Sequence, residues 1–312
     1  MKSSLRIFVV LILAALPLVA ATERGVVIRE AVLYVSPDTT SQKLANIDRG
    51  REMAVLERTH GFVHVFATVE QTFGSDRDIS GWIQDRGLIT SATPKGDQIV
   101  YGEAVDSENE ASRAHGRKNA ALDAMRLYHR VWDYFPNSPL AAEALYRSAD
   151  IRWQLDKADS NRRPSAHKMD PHDRLPIGEE QMKEVMKKFP RTKWADFAAF
   201  HLIDNKLCGD WAAQSKCPEK EADIYENYVK DHPQSPAVAE ALYDAATRYA
   251  ALIEIYKTEG EANKSGSASQ RAIATAQRIA TAPNVTPDWA ARAERLIYMV
   301  QNNIPTFGNA VE

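Results

Sequence analysis

The chain has 312 residues, enough for two structural units at roughly 100–200 residues per domain. Its formal net charge of -3, with 26% charged residues, concentrates no basic face, which argues against DNA or RNA as a partner because neutralising phosphates needs one. The 44% hydrophobic share is that of an ordinary globular protein.

Lys2 and Arg6 precede an apolar run from Ile7 to Ala20, and Val19-Ala20-Ala21 places small residues where a signal peptidase cuts. Residues 1–21 are therefore expected to be a secretory signal, removed before Thr22. As a membrane anchor the run falls short of the roughly 20 residues that a span requires. No cysteine follows it, so no lipid attachment is expected there. The mature chain is expected to carry no transmembrane segment and to be exported to the periplasm or cell envelope.

From Gly25 to Ile89 the sequence reads as short strands. Val26-Val27-Ile28, Val32-Leu33-Tyr34-Val35, Met53-Ala54-Val55-Leu56, Phe62-Val63-His64-Val65-Phe66 and Gly81-Trp82-Ile83 are β-branched or aromatic runs. Turn formers such as Ser36-Pro37-Asp38, Asp48-Arg49-Gly50 and His60-Gly61 separate them. Strands at that spacing close best into a small barrel, assigned to residues 22–90.

Five features of this region resemble the bacterial SH3 family. They are Leu33 and Val35 entering Ser36-Pro37, the Arg49-Gly50 turn before Val55, Gly61-Phe62 with Val65, Gly81-Trp82-Ile83, and a closing Leu88. The segment from Glu70 to Ile79 reads as an extended hairpin tip that typical members lack. The resemblance implies an SH3-like β-barrel with a cell-wall or protein ligand, peptidoglycan among the candidates. Trp82 and Phe62 are the residues that would touch it, although both are expected to fill the barrel core.

Residues 91–116 are polar apart from Ile99-Val100-Tyr101 and read as a linker passing into a helix. From Arg117 the apolar period becomes helical. Ala121, Met125, Tyr128, Trp132 and Phe135 share one face, and Pro136 ends the helix. Ser138-Pro139 is then a cap and first turn, and Ala142, Leu145, Tyr146, Ala149 and Trp153 form the buried face of a second helix. Pro136 to Tyr146 is matched by Pro233 to Tyr243, with Tyr128 corresponding to Tyr225. Weaker copies start at Phe189-Pro190-Arg191-Thr192 and Thr286-Pro287. A shared stop, cap and small-residue face mark an internally repeated helical hairpin.

These repeats resemble the tetratricopeptide family, in the form found in outer-membrane assembly lipoproteins of the BamD type and in periplasmic cell-division coordinators. The likeness implies a TPR-like α-helical solenoid over residues 117–303, with 304–312 as a tail. It also implies an envelope protein or peptide as partner. Tyr249, Tyr256, Trp194, Trp211 and Trp289 could line its concave surface or bridge adjacent hairpins. Aromatic stripes at helical spacing favour the bridge.

Cys208 and Cys217 are close in a chain bound for an oxidising compartment, and a disulfide is expected. A redox pair at this spacing, or a zinc site without further ligands, fits less well. Closing so short a loop would stabilise the fold by roughly 2.5–3 kcal/mol.

The sequence contains no HExxH, no GxSxG and no phosphate-cradling glycine loop. His167, Asp170 and His172 could ligate a divalent metal. Arg162, Arg163, Lys168 and Arg174 around them favour a solvated loop. His129, His201 and His232 read as packing or surface residues. No cofactor and no catalytic activity are expected. The chain reads as a non-catalytic envelope scaffold or adaptor, with BamD-like outer-membrane assembly as one alternative and a peptidoglycan hydrolase or metal-dependent enzyme as another.

Overall fold

The computed structural model describes residues 23–70, 76–162, 177–208, 211 and 213–307, so the signal segment 1–21 lies outside the described residues. The chain divides into two compact units after Thr90.

The first unit is a single sheet. Its strands are β1 (Arg24–Val27), β2 (Ala31–Tyr34), β3 (Lys43–Ile47), β4 (Glu52–Thr59), β5 (Phe62–Glu70), β6 (Asp76–Gln84) and β7 (Leu88–Thr90). Every neighbouring pair is antiparallel, in the order β3-β2-β6-β5-β4-β1-β7. The sheet curls into an open half-barrel, with β3 paired to β2 and β7 paired to β1 at its two edges. The small closed SH3-like barrel is thereby corrected. Two physical reasons account for it. Lys43–Ile47 supplies a strand that β-propensity does not mark. The extended hairpin lengthens two of the strands, since β5 and β6 pair from Phe62 with Gln84 out to Glu70 with Asp76, its tip at 71–75 lying outside the described residues.

Alternation along the strands decides which side chains enter the core. Val63, Val65, Ala67 and Val69 point inward with Leu33, Ile47, Met53 and Ile83. Phe62 and Trp82 have the opposite parity and are half-buried outside that cluster, which corrects their expected core role. Trp82 stacks on His64 at 4.8 Å, and Phe62 meets Tyr34 edge-on at 6.4 Å. Gly81 is required by crowding, because a Cβ there would lie 2.7 Å from the Tyr34 carbonyl oxygen.

The second unit is helical: α1 (Gly96–Ala111), α2 (Ala120–Tyr134), α3 (Ala141–Arg162), α4 (Glu180–Lys188), α5 (Lys193–His201), α6 (Lys216–Asp231), α7 (Val238–Thr258), α8 (Ala262–Arg278) and α9 (Pro287–Gln301). Helix α1 occupies most of the expected linker. Its buried residues, Gly96, Val100, Glu103, Ala104 and Ser107, hold a helical period with little hydrophobicity. Leu145, Ala149 and Trp153 of α3 pack with Met182, Val185, Ala198 and Leu202. A larger core unites α6 to α9.

These helices are not a stack of equal tetratricopeptide hairpins. They run from 9 residues in α4 and α5 to 22 in α3, and the prolines that separate them, Pro136, Pro190 and Pro233, are unevenly spaced. What recurs is a corner. Phe135, Phe189 and His232 close α2, α4 and α6 with φ/ψ of -130/57, -127/54 and -126/56. A following proline excludes helical backbone at the residue before it. After two of these corners the helix begins later than the serine-proline pair suggests. The Ser138 and Ser235 hydroxyls accept from the Leu140 and Ala237 amides, and α3 and α7 start at Ala141 and Val238. Thr192 and Thr286 are direct caps of α5 and α9.

Candidate functional site

The two matched segments carry a carboxylate at the same place, Glu143 in α3 and Glu240 in α7. In α3 the residue one turn later is Arg147, whose Nη2 lies 2.9 Å from Glu143. Arg147 Nη1 also donates to Glu108 and to the Tyr128 hydroxyl, each at 2.9 Å, and Tyr128 donates to Glu108 at 2.6 Å. Charge and hydrogen-bonding capacity there are spent within the chain.

In α7 the corresponding residue is Asp244, a second carboxylate. Asp244 takes a 2.9 Å bond from Arg248 Nη1, while Arg248 Nε donates to Glu221 at 3.1 Å. Glu221 is 1% exposed. It also accepts the Cys208 amide at 2.9 Å, tying the cysteine loop to α6 and α7. Glu240 makes no hydrogen bond or ion pair with any described residue. Its position in the first turn of α7 gives it the helix dipole. Burial raises its pKa, and the like charges of Asp244 and Asp204 add to that against Arg292. Arg292 is itself engaged, 3.1 Å from Asp288 and over the Trp289 ring. The Asp244 carboxyl is raised by burial, with Arg248 opposing.

Aromatic side chains of α3 and α5 form a row of their own. Tyr146 of α3 stacks on Trp194 at 5.3 Å and on Phe197 at 5.6 Å, all three half-buried. Lys193 lies over Trp194 at 4.3 Å. The Tyr146 hydroxyl is pushed up by burial first, then by Asp150, Tyr228 and Glu240, which places Glu240 within its field. His201 Nε2 is 3.1 Å from the Tyr146 hydroxyl and 3.3 Å from Asp150. Burial lowers its pKa, against the attraction of Asp150 and Asp204. The buried Trp153 Nε1 beside it has no hydrogen-bond partner among the described residues.

A cleft of about 280 Å³ is lined by Met186, Leu202, Ile203, Ile224, Tyr228 and His232, with Lys206, Asn227 and Asp231 also on its wall. His232 Nδ1 is 2.8 Å from Asp196 and its ring stacks on Tyr228 at 4.8 Å. Tyr228 meets the buried Ser235 hydroxyl at 2.7 Å and donates to the Asp196 carbonyl at 2.9 Å.

Trp194 thus belongs to an accessible aromatic row, whereas Tyr249 and Tyr256, at 1% and 7% exposure, are core bridges within the C-terminal cluster. Arg271 lies over the Tyr249 ring at 4.0 Å, and Tyr256 donates to Glu219. Trp211 packs on Phe307 at 5.3 Å and Trp289 on Tyr243 at 5.6 Å. Trp82 and Phe62 belong to the sheet unit. Cys208 and Cys217 are joined as a disulfide, with Cα atoms 6.0 Å apart. His167, Asp170 and His172 lie outside the described residues. Among the described residues no group of three or more His, Cys, Asp or Glu could hold a metal ion.

No model of a known protein family matches the chain, and no curated protein matches it. Together with the open sheet and the unequal helices, this overturns the likeness to the bacterial SH3 and tetratricopeptide families, and the BamD-type assignment with it. Glu240 and Asp244 were not among the candidates in the sequence, and His201, expected to be a packing or surface residue, lies against Tyr146 and Asp150. The signal for the first two lay in the alignment of the copies, where Arg147 is replaced by Asp244.

Proposed function

We propose that this is an exported, non-catalytic binding protein of the cell envelope whose helical unit holds a protein or peptide. The observation that carries this reading is the half-buried row Tyr146, Trp194 and Phe197. Partly exposed aromatics next to fixed polar groups are the composition of recognition surfaces. The neighbouring cleft is of a size to take a side chain. The disulfide suits an oxidising compartment, and among the described residues no helix is long and apolar enough to cross a membrane. The cell-wall ligand rested on the SH3 likeness and is not part of the proposal.

A photoreactive phenylalanine analogue at the exposed Lys193, beside Trp194, tests the reading in intact envelopes. A discrete crosslinked protein is expected, lost when Trp194→Ala and Tyr146→Ala are combined. Crosslinks no stronger than those from the same probe at exposed Arg152 would refute it.

A further inference from the structure

The chain is negative overall at -3, yet one corner of the helical unit is strongly positive. Lys187, Lys188, Arg191 and Lys193 fall within seven residues across the end of α4 and the start of α5, and all four are exposed. The fold does not require them. The corners at Pro136 and Pro233 turn through the same backbone angles before the proline. Their matching positions hold Asp133, Tyr134, Asn137 and Pro139, or Lys230, Asp231, Gln234 and Pro236, with net charges of -1 and 0 against +4 here. The dipole of α4 favours Lys187 and Lys188 in its last turn. It leaves the other two unexplained, because Arg191 takes left-handed backbone at φ 62 and Lys193 opens α5, where a helix dipole opposes a cation. Two of the lysines rest on rings. Lys188 Nζ lies 5.3 Å from the centre of the Trp132 ring and Lys193 Nζ 4.3 Å from that of Trp194. A ring face holds a cation without neutralising its charge. Residues 163–176 add Arg163, Lys168 and Arg174 against Asp170 and Asp173, so they bring no net negative charge to offset the corner.

We propose that the α4–α5 corner docks an acidic segment of a partner protein, whose carboxylates meet Lys187, Lys188, Arg191 and Lys193 while its apolar side chains reach the adjoining row of Trp194, Tyr146 and Phe197. This rests on the reading of the helical unit as a binding surface and names the class of its partner. Charge complementarity selects the occupant, since four clustered cations repel a basic segment. An anionic membrane shares the charge but is held weakly without apolar anchors. The large exposed hydrophobic residues among those described, Val35, Leu56, Phe66, Ile99, Tyr298 and Ile304, all lie off this corner.

The test uses a fluorescein-labelled peptide of alternating glutamate and glycine, titrated into the mature chain at low salt and followed by anisotropy, with an arginine-glycine peptide as control. Binding of the acidic peptide alone is expected. Lys187→Gln, Lys188→Gln and Arg191→Gln combined should weaken it about tenfold, as loss of three exposed charge contacts does. The same loss of charge at Lys43, Lys118 and Lys220, exposed lysines elsewhere in the chain, should leave it within about twofold of the parent, since only contacting charges escape screening. Thermal melts of both triple variants separate loss of binding from loss of folding. In the parent itself, salt that shortens the screening length to about 3 Å should abolish binding. Equal weakening by the two triple variants overturns the proposal. So does binding that survives the salt, or equal binding of the arginine peptide. Retention of the chain by phosphatidylglycerol vesicles without binding of the acidic peptide makes the anion a membrane and also overturns it. If the acidic peptide fails to bind while the Lys193 probe still captures a protein, the partner class is wrong and the binding function stands. If both fail, the function itself is refuted.

Discussion

The corner at Pro136 and the corner at Pro233 are built from the same residues and turn the chain in the same way, yet the helices that follow them are electrically different. After the first, Glu143, Arg147, Glu108 and Tyr128 close on one another near the surface. After the second, the cation is Arg248, held by Asp244 and by Glu221, and Glu240 has no hydrogen bond or ion pair with any described residue. Backbone design and side-chain electrostatics are thus separable. Proline and a small-residue face fix the corner, while one substitution in the copy, arginine to aspartate, changes what the helix presents.

Removing the carboxylates that hold the two arginines should expose the difference most strongly. Glu221→Ala takes one of the two carboxylates from Arg248 and leaves the Cys208 amide without its acceptor, and should cost about 3 kcal/mol. Glu143→Ala breaks a half-exposed pair and should cost about 0.5 kcal/mol. Urea unfolding followed by the helical signal reads both, and equal losses would erase the contrast. A smaller gap is expected between the two corner serines. Ser235→Ala, fully buried and bonded to Tyr228 and the Ala237 amide, should lose about 1.5 kcal/mol, and half-exposed Ser138→Ala about 0.7 kcal/mol.

The smallest effects are in pH dependence, and they have opposite signs. The raised pKa values of Glu240 and Asp244 mean that the folded chain keeps protons which the unfolded chain has released. Stability from these groups is therefore present on the acid side and is lost as pH rises through the range above ordinary carboxylates. His201, lowered by burial, acts the other way. The unfolded chain binds its proton first, so stability falls as pH drops below the ordinary histidine value. Melting curves across pH should flatten in the first window for Glu240→Gln and in the second for His201→Gln. Flattening of both in the same window would contradict these assignments.

What could be read in advance follows from how local each feature is. The strand runs, the proline corners, the threonine caps and the cysteine pair are set by a few adjacent residues, and all are present. The polar strand Lys43–Ile47 exists because β2 offers it an edge, and α1 because small residues let it sit against α2. Neither reason is written in the segment itself. The family likeness failed for a related cause. Gly81-Trp82-Ile83 is demanded by any strand that crowds a neighbouring carbonyl while alternating an inward isoleucine with an outward tryptophan, so it does not require a closed barrel. Trp82 and Phe62 faced outward for the same parity. The candidate site was legible only as a mismatch between copies, since its charges come from α3, α5 and α7 and meet only after folding.

Among the described residues Glu240 has no hydrogen bond or ion pair, and burial with the like charge of Asp244 outweighs the attraction of Arg292. Carbon-detected NMR titration of its side-chain carboxyl in the mature chain measures the outcome. A midpoint above the ordinary glutamate range is expected, and an ordinary midpoint would refute this reading of α7.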